Sequence, residues 1–141
     1  MLRYPLIHPF LLAALAGTGH GGRVAILDAN YSPSTNANPA AELVHLGLRP
    51  GLVTVDQVLE TVLTAVPVEA VHVMRPDSGD PPPVFARYAE LLGPGLPLQP
   101  LDRLEFYRVC REPAVAVAVA TGDVRLYANV LLTVGFTAPS Q

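Results

Sequence analysis

Apolar positions along this chain follow two periods, and the switching between them lays out its elements. Spacings of three and four place Val55, Val58, Leu59, Val62 and Leu63 on one helical face. Thr54-Val-Asp-Gln57 reads as the capping box that opens this helix, and Pro67 ends it after about Ala65. Pro9 suits the first turn of an amphipathic helix through about Leu15, its apolar side packed on a sheet, with Gly17 and Gly19 as the stop. Val84 to Leu92 follows the Pro81–Pro83 run and ends at Gly93; Leu104 to Arg111 is a fourth helix before Pro113. Strand patterns lie between them at Arg23–Leu27, Val71–Met74, Val115–Ala120 and Val130–Val134, with a shorter one at Leu98–Pro100.

Helices alternating with nearly continuous apolar strands predict an α/β fold: a single layered domain over residues 1–141, with a mostly parallel sheet flanked by helices. Two polar loops, Ala29–Asn38 and Arg75–Pro83, follow the C-terminal ends of strands, where such sheets bind ligands. The second, rich in proline, reads more simply as a connector.

Composition then removes whole classes of chemistry. Charged residues are only 15% of the chain against 50% apolar, so part of the surface is expected to be covered by other subunits. A net charge of −3 without a basic cluster argues against a nucleic-acid groove. The chain has no lysine, which excludes a Schiff-base nucleophile and a phosphate-loop lysine. Cys110 is its one cysteine; it forbids an internal disulfide, fits a reducing cytoplasm and reads as a small core residue. No apolar run reaches the ~18 residues of a membrane span. Arg3 with Pro9–Ala16 imitates a short signal peptide, but Pro5 and His8 interrupt it. His8, His20, His45 and His72 are scattered, so no metal site is expected, and His72 reads as a satisfied group inside a strand.

Four places retain chemistry. His20 lies in Gly19-His20-Gly21-Gly22, where glycines allow close approach to an imidazole suited to proton transfer near neutrality, although a surface histidine in a turn has the same pattern. Asp28 ends a strand, poised either to bind a ligand or to form an Asx-turn. Tyr127-Ala128-Asn129 puts a phenol and a carboxamide on one side of an extended segment, a pair suited to hydroxyl groups. Arg103, just before the Phe106-Tyr107 helix, offers fixed donors for a polyol or carboxylate.

Gly19-His20-Gly21, Ile26-Leu-Asp28-Ala-Asn30, Arg103-Leu-Glu-Phe106-Tyr107, and Thr121-Gly-Asp123 with Tyr127-Ala-Asn-Val-Leu-Leu132 occur in an order and spacing that resembles the ribose pyranase / fucose mutarotase (RbsD/FucU) family. The resemblance implies a cytoplasmic, cofactor-free isomerase acting on a free monosaccharide, fucose or ribose. It also implies a homo-oligomer, a decameric ring, with active sites at subunit contacts. It makes His20 the proton donor, Asp28 and Arg103 sugar-binding groups, and Tyr127, Ala128 and Asn129 the C-terminal binding segment. A D-ribose pyranase and a non-catalytic sugar-binding module of the same fold are the alternatives to a fucose-type mutarotase. Gly22 stands where the family often carries an acidic residue, so a charge that could orient His20 is missing. The general base is open between a tyrosine, a carboxylate and water. His20 and Asp28 are separated by a strand, roughly 20–25 Å if it is regular, so they share one sugar only if the loop folds back or a neighbouring subunit supplies one of them.

Overall fold

The computed structural model describes residues 1–140. Its elements run α1 (Pro9–Ala16), β1 (Arg23–Leu27), α2 (Pro33–Asn36), β2 (Glu42–His45), α3 (Val55–Val62), β3 (Val68–Met74), α4 (Val84–Leu92), β4 (Leu98–Leu101), α5 (Arg103–Cys110), β5 (Val115–Ala120) and β6 (Val130–Val134). The six strands form one sheet in the order β2-β5-β1-β6-β3-β4. Pairs β1–β5, β2–β5 and β3–β4 are parallel, whereas β6 runs antiparallel to both of its neighbours, β1 and β3.

Burial on two sides explains the continuous apolar strands. Val24 and Ile26 of β1 pack with Leu11 and Leu15 of α1, Val55–Val62 of α3, and Val84 and Tyr88 of α4. Ala25 and Leu27 point to the other face, under Phe106, Val109 and Cys110 of α5 and the Tyr31–Ala37 loop. Each fully buried Leu, Val or Phe contributes about 1.5–3 kcal/mol of transfer free energy, so most of the stability lies in these two layers. At the start of α3 Gln57 Oε1 accepts the Thr54 amide at 2.9 Å, the return half of the capping box.

Several expectations shift. The Ala29–Asn38 loop contains α2, one short turn begun by Pro33, and β2 is an edge strand with only Val44 buried, too brief and polar to show a period. α3 stops at Val62, β3 begins at Val68, and Arg103 is the first residue of α5 rather than a residue preceding it. α1 is apolar all round instead of amphipathic: Leu11 and Leu15 are buried while Phe10 is 75% exposed. His72 is not satisfied, because its buried Nδ1 has no hydrogen-bond partner among the described residues. Burial and the nearby Arg23 lower its pKa and keep the ring neutral. Among the described residues no helix is long and apolar enough to cross a membrane.

Candidate functional site

β1 and β6 bring together two of the predicted residues that lie 101 positions apart. The Asp28 amide donates to Asn129 Oδ1 at 2.8 Å, and Asn129 Nδ2 returns a bond to Asp28 Oδ2 at 3.0 Å. Asp28 Oδ1 meanwhile accepts the amides of Asn30 and Tyr31 at 2.9 and 3.0 Å. Asp28 therefore forms the Asx-turn and is also held by a carboxamide. Burial raises its pKa, against the pull of those donors.

Around this pair is a cavity of about 180 Å³ lined by Asp28, Asn30, Tyr31, Met74, Arg103, Tyr107, Leu126, Tyr127 and Asn129. At about 30 Å³ per water it has room for roughly six water molecules, well below the 300 Å³ and more of drug-sized sites. Its lining fits a small, hydroxyl-rich molecule: a carboxylate, a guanidinium, two carboxamides and three phenols converge on it. A larger neighbouring cavity of about 400 Å³ shares Leu126 and Tyr127. Its other walls are Pro76, Pro82, Pro83 and Val84, with Asp80 and Arg125 as the charged groups, so polar side chains are denser around the smaller one. The Arg75–Pro83 segment is thus a cavity wall as well as a connector.

α5 supplies Arg103 and Tyr107 one turn apart, with the guanidinium 5.8 Å from the ring centroid. Tyr127 reaches the cavity by a different route from the extended segment expected of it. Its φ is +59°, the left-handed region that a bulky residue adopts only when its surroundings impose it. Ala128 is buried and its carbonyl accepts the Tyr88 hydroxyl at 2.6 Å; its side chain does not line the cavity. Tyr31 donates its hydroxyl to Asn36 O, and burial pushes its ionisation far above the ordinary phenol range.

His20 is elsewhere. It precedes the N-terminal end of β1, while Asp28 follows the C-terminal end, and the loop does not fold back. Its partners lie at the start of β3 and beyond the end of β6: Nε2 is 2.9 Å from Glu69 Oε2, and the ring meets Phe136 edge-on at 5.3 Å between centroids. The side chain is 55% exposed. A carboxylate only accepts, so Nε2 is the donor in this pair and Nδ1 is left without a partner in it. Glu69 supplies the negative charge that Gly22 lacks. A Cβ at Gly22 would stand 2.6 Å from Thr18 Cγ2, so a side chain there would require Thr18 to move.

Asp28, Arg103, Tyr127 and Asn129 thus share one cavity, Ala128 supports it from behind, and His20 stands at the opposite pole of the sheet. Glu69 escaped the sequence reading because it precedes the apolar run of β3 and lies 49 residues from His20. Among the described residues no group of three His, Cys, Asp or Glu side chains is arranged to hold a metal ion.

Comparison with known proteins bears on this arrangement. The sequence profile of the RbsD / FucU transport protein family matches residues 1–137. A fucose mutarotase of Mus musculus is 33% identical over 146 aligned positions, covering 92% of this chain and 90% of the relative. A D-ribose pyranase of Symbiobacterium thermophilum is 33% identical, covering 97% of this chain and 99% of the relative. Among solved structures, the fucose mutarotase of Streptococcus pneumoniae in complex with L-fucose superposes with a TM-score of 0.81 at 28% identity, covering 98% of this chain and all of that one.

Proposed function

Because the chain belongs to the RbsD / FucU transport protein family, we propose that it is a cofactor-free, cytoplasmic mutarotase interconverting the α and β anomers of a free, L-fucose-like monosaccharide. The single observation that carries this reading is the small cavity in which Asp28, Arg103, Tyr107, Tyr127 and Asn129 converge. D-ribose is the second substrate to test, since a ribose pyranase is as similar as a fucose mutarotase.

Anomer exchange needs a proton delivered to the ring oxygen and another removed from the anomeric hydroxyl. The C1–ring oxygen bond then breaks to give the open aldehyde, which rotates and recloses on its other face. Closing on a different hydroxyl gives the furanose, so one apparatus serves both named activities. His20 is the acid, giving the proton on Nδ1 while Glu69 holds Nε2. Tyr107, which lines the cavity with the Arg103 guanidinium 5.8 Å from its ring centroid, is the candidate base. Asp28 is less suited, as both of its oxygens already accept hydrogen bonds. Asp28, Asn129 and Tyr127 orient the sugar hydroxyls.

Since His20 and the cavity lie at opposite poles, a complete site needs two copies of the chain, His20 and Glu69 of one closing the cavity of the next. Homo-oligomerisation is therefore part of the proposal. The test is saturation-transfer NMR of L-fucose and D-ribose anomers, with two inactive variants mixed. His20→Ala and Asp28→Asn subunits each lose exchange, and co-refolding them restores it in roughly a quarter of the sites, those formed from two intact halves. A monomer that exchanges anomers, or a mixture that stays inactive, overturns the composite site. Sugar binding with no acceleration in the wild type leaves a binding module instead.

A further inference from the structure

We propose that Arg125 is a positioning residue for the reaction, holding the Tyr127 phenol in the cavity; this rests on the reading of Tyr127 as a sugar contact. Between β5 and β6, residues 121–129 form no regular element, yet they must present Tyr127 in a left-handed backbone conformation. Such a conformation persists only when neighbouring contacts over-determine it.

The contacts fall into three groups. At the start of the loop, Thr121 Oγ1 donates to Leu27 O at 2.8 Å and the Ala29 amide donates to Asp123 O at 2.7 Å. At its end, Tyr88 holds the Ala128 carbonyl and Asn129 holds Asp28. Between these anchors lie Val124 and Leu126, 51% and 69% exposed, which bury too little surface to fix the span. Arg125 fixes it. Its backbone amide donates to Asp123 Oδ1 at 3.0 Å, its Nε and Nη2 reach Asp123 Oδ1 and Oδ2 at 2.9 and 2.6 Å, and Nη2 alone carries the link across to Asp56 Oδ1. Asp123 is 1% exposed, and its Oδ2 accepts the Val55 amide at 2.9 Å. One guanidinium therefore ties the middle of the loop to the first turn of α3, two residues before Tyr127.

Arg125 lines the larger neighbouring cavity and not the one around Asp28, and its Nε and Nη2 are engaged by two carboxylates. It acts on the substrate through Tyr127. Lysine could not replace it, because an ammonium lacks the planar fork that grips both Asp123 oxygens while reaching Asp56.

The decisive measurement is anomer-exchange kinetics of L-fucose by saturation transfer for Arg125→Gln, Tyr127→Phe and the double variant. Arg125→Gln is expected to raise KM by about tenfold with kcat changed less than about twofold. In the Tyr127→Phe background it should add nothing, since the group it positions is already gone. An unchanged KM in a folded Arg125→Gln protein overturns the inference, as does a tenfold rise that persists undiminished in the Tyr127→Phe background. If Arg125→Gln does not fold, Asp56→Ala carries the test, because it removes the Arg125–Asp56 bond while the buried Asp123–Arg125 pair and the Asp123–Val55 bond stay. A KM rise of a few-fold supports the role, and none refutes it. Should Tyr127→Phe itself leave exchange untouched, the reading of the site fails instead, a result distinct from either of these.

Discussion

At its C-terminal end β1 delivers Asp28 into a buried lattice: two backbone amides and a carboxamide grip the carboxylate, and the partner Asn129 is 3% exposed. At its N-terminal end the same strand follows an imidazole flanked by glycines, 55% exposed, with one exposed carboxylate and one exposed aromatic ring beside it. The first end is positioned by the fold and cannot be altered without disturbing it. The second is exposed and set apart from the core, so substitutions there are expected to leave stability alone and, on the proposed mechanism, to remove chemistry. In the proposed reading, binding and proton transfer fall to regions of very different local stability.

The largest effect that would sharpen this contrast is His20→Ala. Exchange should fall by roughly 10²–10⁴-fold, the usual contribution of a positioned proton donor, with an unchanged thermal midpoint by differential scanning calorimetry. Loss of the fold in this variant would break the comparison. Asn129→Ala should do the reverse on the stability side. It strips a partner from the buried Asp28 amide and from one carboxylate oxygen, costing about 2–4 kcal/mol in urea-unfolding free energy, and weakens sugar binding as well. Glu69→Gln should lower exchange by about tenfold while changing stability by less than ~1 kcal/mol, as expected for an exposed pair; equal activity would make Glu69 a bystander.

The smallest effect is in the pH dependence of stability. Burial raises the folded pKa of Asp28, so its contribution to stability is present below the unfolded carboxylate range and is lost as pH rises through the raised value. At Asp123 and Asp56 burial opposes ionisation, but the Arg125 bonds prevail and hold both below the usual range. Their contribution is present above about pH 4 and is lost on further acidification. Wild type should therefore gain stability relative to Asp28→Asn as pH falls from neutrality towards about 4. Urea titrations at several pH values check the sign.

Much of this was legible in the chain itself. The period of Val55–Val62 and the valine and leucine runs of β1, β5 and β6 identified the layers, because burial on both faces leaves few polar interruptions. β2 and α2 left no such trace, being an edge strand with one buried residue and a single turn. Asp28, Arg103, Tyr127 and Asn129 were visible as individual polar residues at strand and helix ends. Their meeting was not, because it depends on β6 inserting antiparallel beside β1, a pairing that no local pattern encodes. The same holds for Glu69, brought to His20 by the β3–β6–β1 order. The left-handed turn at Tyr127 was hidden as well, since no glycine marks it.

On the proposed composite site, a subunit with its donor at one pole and its receptor at the other has a valency of two. Joined nose to tail, an open row of such subunits always leaves one cavity and one imidazole dangling at its extremities. Bending that row until the extremities meet wastes neither. Opposed poles thus reward closure itself, and dilution that breaks a single joint should silence one site per break before any chain unfolds.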